Sequence, residues 1–160
     1  MGGHALSVES VRLSAVNYFT VAEVVSEVLT SKAPDLKFSI IPAYFQKPDF
    51  GDMDILFSSE GFDPYRVAEV LKATEVVRNG DVTSIGFQIG KAIFQLDLIS
   101  TPKECFDFSL SYFGFFANCI SALVLRLIIL PTIQPLLRYA SRSLTGICKL
   151  TPSFLIWRFL

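Results

Sequence analysis

Apolar residues recur every three or four positions between Thr20 and Pro34. Val21, Val24, Val25, Val28 and Leu29 would line one face of a helix. Thr20 and Glu23 form the Thr-x-x-Glu spacing of a capping box, and Pro34 closes the segment. A weaker stripe of Val8, Val11, Ala15 and Phe19 predicts an earlier helix over 8–19. The pattern then changes. "LKFSIIPAYF" (36–45) reads as a strand, with Pro42 placing it at an edge or a bulge. "GDMDILF" (51–57) is the next strand. "DPYRVAEVLKATEVV" (63–77) reads as a helix with Asp63 as N-cap and Pro64 in the first turn. Asn79-Gly80 marks a turn. Residues 81–100 read as a β-hairpin. Ile85, Phe87 and Ile89 alternate on its first arm, and Gly90-Lys91 fits a two-residue loop. The second arm, 92–99, is apolar except for Gln95 and Asp97. The order α-α-β-β-α-β-β predicts an α+β domain, a small mixed sheet with flanking helices.

Charge divides the chain at residue 111. Residues 1–111 carry nine Lys/Arg against all fifteen Asp/Glu, a net −6. Residues 112–160 carry five Lys/Arg and no acid, a net +5. Two regions follow: a domain over 1–111 and an apolar, basic, helical tail over 112–160. Cys105, Cys119 and Cys148 are too few and too scattered for a disulfide framework or a zinc site. Cys105 reads as a small core residue. "MGGHALSVES" has no apolar signal region, and Leu6 breaks the myristoylation pattern. The expected setting is a reducing, cytoplasmic one.

The chemistry lies in the second strand. Side chains alternate along a strand, so Asp52 and Asp54 share a face with Leu56, while Met53, Ile55 and Phe57 point to the core. Asp is depleted from strands, and two on one face need a reason. Asp97 is a third oddity, set among Phe94, Leu96, Leu98 and Ile99, where an uncompensated charge is costly. If the two strands are neighbours, three carboxylates converge. Clustered anions repel one another, and a divalent cation between them relieves the repulsion. Hard oxygen ligands of this kind suit Mg²⁺. Such a site performs in-line phosphoryl or nucleotidyl transfer.

"FGDMDILF", a following helix, and then "FQLDLIS" after a hairpin resemble the DNA polymerase beta-like nucleotidyltransferase superfamily. The resemblance covers about residues 1–111. The run from "IIPAYFQKPDFGDMDIL" to "FDFSLSYF" is similar to nucleotidyltransferase-like proteins of large phages and viruses. The resemblance implies an enzyme that moves NMP from an NTP to a hydroxyl. It implies that Asp52 and Asp54 bind two Mg²⁺ ions, with Mn²⁺ as a substitute, and that Asp97 binds the catalytic ion and assists the attacking hydroxyl. The acceptor would be a nucleic acid 3′ end, a protein or a small molecule. A net −6 with no basic, aromatic stripe does not favour nucleic acid. The chain departs from the superfamily pattern before Asp52, where "AYFQKPDFG" lacks the Gly-Ser or Gly-Gly pair that meets the triphosphate. Gly2 and Gly3 are distant candidates for that role, set against a plain flexible terminus. Lys47 is a candidate phosphate contact set against an ordinary solvated lysine, and Gly51 gives the backbone freedom to turn before the acids. His4 reads as incidental.

The missing glycine pair supports an alternative, a degenerate nucleotidyltransferase fold retained as a binding module. The tail supports another. "YFGFFANCISALVLRLIIL" (112–130) holds one charge, Arg126, and approaches membrane-spanning length, giving a membrane-associated protein anchored by residues 112–137. Arg126 near a bilayer centre would cost about 2.5–3.5 kcal/mol. Helices capping the sheet, broken at Pro131 and Pro135, are a second reading of the tail. Out-of-frame translation is a third, suggested by the lack of any acid in 49 residues, and is favoured over the anchor because the resemblance stops abruptly after "FDFSLSYF" (106–113).

Overall fold

A computed structural model describes residues 4–42 and 47–119, with side chains up to residue 113. It is a mixed α/β fold with helices flanking a five-stranded sheet. The elements are β1 (Leu13–Ser14), α1 (Ala15–Lys32), β2 (Phe38–Ile40), β3 (Asp49–Phe50), β4 (Asp52–Ser58), α2 (Pro64–Val70), β5 (Val76–Asn79), β6 (Val82–Ile89), β7 (Ala92–Thr101), a 3₁₀ turn (Lys103–Cys105) and α3 (Phe106–Cys119). The sheet order is β2-β4-β7-β6-β5. β4 and β7 run parallel at its centre, and the other pairs are antiparallel. β1 and β3 form a separate two-stranded ladder.

The central strands are two-faced. Met53, Ile55 and Phe57 on β4, Phe94, Leu96 and Leu98 on β7, and Ile85 on β6 are at most 1% exposed and form the core. Each contributes roughly 1.5–3 kcal/mol by leaving water. Tyr18, Val21, Val25 and Leu29 from α1 and Val67, Ala68 and Leu71 around α2 complete the same cluster. Both expected turns are present. Gly80 and Gly90 adopt φ of 61° and 60°, joining β5 to β6 and β6 to β7. Only glycine enters that region without strain.

Several boundaries differ from expectation. The first helix begins at Ala15, so Thr20 is not its cap. Ser14 accepts from the Asn17 N–H, and the Thr20 hydroxyl donates back to the Val16 carbonyl. Val24 is 43% exposed and lies off the buried stripe. No helix covers residues 8–14. The Val11 N–H goes to the Ile93 carbonyl, and Leu13 pairs with Phe50. The helix expected over 63–77 stops at Val70, Lys72 takes a positive φ of 52°, and β-branched Val76 and Val77 join the sheet as β5. The strand expected over 36–45 is an edge strand of three residues, and Pro42 follows it.

Cys105 is buried, as expected, and it is disulfide-bonded, which the sequence reading did not anticipate. α3 runs unbroken across the 111/112 boundary, and the compact unit closes at Asn118. Among the described residues, no helix is long and apolar enough to cross a membrane. The expectations for the tail from residue 120 onward lie outside the described residues.

Candidate functional site

The second face of the central strands carries an apolar row, Val82, Ile99 and Leu56, and polar rows beside it. Register partners on neighbouring strands share a face and stand about 4.8 Å apart. One row crosses β6, β7 and β4 through Ser84, Asp97 and Asp54. The next runs through Gly86, Gln95 and Asp52. Asp97 is therefore the direct neighbour of Asp54, and Asp52 lies one pleat before it. The parallel pairing of β4 and β7 brings together acids 43 positions apart in the chain.

Asp97 is completely buried, while Asp52 and Asp54 are partly exposed. Ser84 and Gln95 both donate to the Asp97 carboxylate. The Ser84 hydroxyl donates to Oδ1 at 2.6 Å, and the Gln95 amide donates to the same oxygen at 2.9 Å. Gln95 accepts in turn from the Ala5 N–H at 2.9 Å. Ser84 and Gln95 are 2% exposed, so water does not replace these bonds. Both were missed as site residues. The signal for Ser84 was the alternation of Ile85, Phe87 and Ile89, which assigns it to the face opposite the core, and that for Gln95 was its common parity with Asp97.

Two further groups stand close by. Tyr18, buried and stacked on Phe50 at 4.2 Å, has its hydroxyl pKa pushed well up by burial, with smaller contributions from Asp54 and Asp52. It stays protonated at neutral pH. The Arg12 guanidinium donates twice to Asp49 Oδ1, at 2.6 and 3.0 Å, and also feels Asp52. Chiefly through that hydrogen bond, Arg12 holds the Asp49 carboxyl below its ordinary range, and Lys47 adds a smaller effect.

The weaker candidates are placed as follows. Lys47 is exposed and within electrostatic reach of Asp49. Gly51 is buried between β3 and β4, and its φ is not positive. His4 is exposed. Gly2 and Gly3 lie outside the described residues, although Ala5, two positions on, touches Gln95.

The donor set suits a hard divalent cation, since three carboxylates share one face and two of them are direct register partners. Among the described residues, however, no three His, Cys, Asp or Glu side chains are already gathered as a ligand group. Compared with known proteins, the chain matches no family profile and no curated sequence.

Proposed function

We propose that the domain is a metal-dependent nucleotidyltransferase that moves NMP from an NTP to a hydroxyl acceptor. The observation that carries this is the register of β4 against β7, which sets Asp54 beside Asp97 with Asp52 one pleat away. A like-charged pair across a strand ladder destabilises a sheet unless something offsets it. Asp52, Asp54 and Asp97 are the residues to hold two Mg²⁺ ions, or Mn²⁺. When bound, these ions supply charge neutralisation for the triphosphate and make the acceptor hydroxyl a better nucleophile. Asp97, oriented by Ser84 and Gln95, assists the attacking hydroxyl. Tyr18 keeps its proton beside Asp54 and Asp52.

A second reading is a binding module on the same fold without catalysis. It is favoured by the two donors already engaged on Asp97 Oδ1. One experiment separates the two. Thermal unfolding of wild type, Asp54→Asn and Asp97→Asn is followed with and without Mg²⁺ and each NTP, beside a labelled-NTP transfer assay. Wild type is expected to gain about 2.7 kcal/mol at a ligand concentration 100-fold above Kd. Asp54→Asn loses that gain and all transfer. Asp97→Asn keeps much of the nucleotide binding and loses transfer. Absence of any Mg²⁺-dependent stabilisation in wild type, with Asp54→Asn melting several degrees lower in buffer, would make the aspartates structural.

A further inference from the structure

Gln95 has two ends, and both are used. Its Nε2 donates to Asp97 Oδ1 at 2.9 Å, and its Oε1 accepts from the Ala5 N–H at 2.9 Å. A carboxylate oxygen only accepts and a backbone N–H only donates, so a single amide orientation serves both partners. Gln95 is 2% exposed, which leaves no solvent to take over either bond.

The chain that Gln95 grips runs over the carboxylate face. Leu6 lies above Gly86, the register partner of Gln95, and a Cβ at Gly86 would sit 3.5 Å from Leu6 Cδ1. The Ser7 N–H reaches both carboxylate oxygens of Glu75 at 3.1 Å. The Val11 N–H bonds the Ile93 carbonyl at 2.8 Å. Residues 5–11 are thus seated on β6, β7 and the entry to β5 at three points. The Gln95 contact continues to an acid of the candidate site, Asp97.

We propose that Gln95 is a positioning residue that couples the seating of residues 4–11 to the orientation of the Asp97 carboxylate. Turning the amide to release Ala5 also withdraws the N–H from Asp97. Conversely, a group that pulls Asp97 away from Gln95 loosens the strap. Such coupling is reciprocal. The consequence for catalysis rests on the nucleotidyltransferase reading, but the coupling does not.

The test perturbs the strap and reads the acid. Ala5→Pro removes the donated N–H from a partly buried residue outside the core. The readouts, on the full chain by NMR, are the Asp97 ¹³Cγ resonance and the exchange rate of the Gln95 Nε2 protons. Ala5→Pro is expected to shift the Asp97 resonance and to speed that exchange about fivefold to tenfold, the loss of one net hydrogen bond. Gln95→Met shifts the Asp97 resonance further, and adding Ala5→Pro to it moves the resonance no more. An Asp97 resonance and a Gln95 exchange rate that stay at wild-type values in Ala5→Pro overturn the proposal. So does an additive shift in the double variant. A parallel Mn²⁺ titration of wild type judges the catalytic reading separately, since failure to bind Mn²⁺ leaves the carboxyl readout unaffected.

Discussion

Ser84→Ala isolates the bond that holds the buried acid. The hydroxyl donates to Asp97 Oδ1 at 2.6 Å, the short range of a charge-assisted bond. Both residues are buried, so truncation leaves the carboxylate short of a donor that water cannot supply. Hydrogen bonds to charged groups contribute about 1.5–3 kcal/mol, and about 2 kcal/mol is expected here because Gln95 remains on the same oxygen. For a unit of this size that is a fall in Tm of about 8 °C. The charge dependence is checked by repeating the change in Asp97→Asn. The amide oxygen still accepts from Ser84, but as a neutral acceptor worth about 1 kcal/mol. The double-mutant cycle should therefore show a coupling of about 1 kcal/mol. Urea unfolding of the four proteins, with equal m-values, measures it. A loss below about 0.5 kcal/mol for Ser84→Ala, or an equal loss in both backgrounds, refutes the reasoning.

Three other outcomes follow from the same structure. Ser58 Oγ is buried with no hydrogen-bond partner among the described residues, so Ser58→Ala should stabilise the domain by about 1 kcal/mol in the same unfolding assay. Gly86→Ala would place a Cβ 2.6 Å from Thr74 Oγ1 and 3.1 Å from Ile93 Cγ2, lowering stability by roughly 1–3 kcal/mol, measured by the urea midpoint. Glu75 sits below its ordinary 4.5 because of hydrogen bonds from Ser7, side chain first and then backbone. Its hold on the strap is thus complete above that value and is lost as pH falls through the lower, folded one. Hydrogen exchange at residues 7 and 8, corrected for intrinsic rate, should stay constant from pH 7 to about 5 and rise below about 4.5. Glu75→Gln should show the raised value at every pH.

The sequence carried the parts of the fold whose period is unambiguous. Alternation through Met53, Ile55 and Phe57 and through Ile85, Phe87 and Ile89, with Gly90 at the turn, predicted β4 and the β6–β7 hairpin, and the structure has both. Helix ends were less legible, because competing side chains decide them. Ser14 took the cap that Thr20 was expected to supply, and Val76 and Val77 left the helix to pair with β6. The three acids were legible by parity and by the oddity of Asp97 among apolar neighbours. Their partners were not. Whether Ser84 faces Asp97 depends on a cross-strand register, and whether Ala5 meets Gln95 depends on a contact across 90 positions of chain. No local pattern encodes either.

That register also bears on why a sheet would carry these acids at all. Asp54 and Asp97 are direct neighbours on adjacent strands. At strand spacing, two unit charges in an effective dielectric near 20 repel by about 3 kcal/mol. Hydrogen bonds from Ser84 and Gln95 orient the Asp97 carboxylate, but neutral donors do not remove its charge. A neutral residue at either position would relieve the repulsion without touching the core, which lies on the other face of both strands. A cation bound on the shared face turns the same repulsion into affinity, because each carboxylate then meets a positive charge where it had met a negative one.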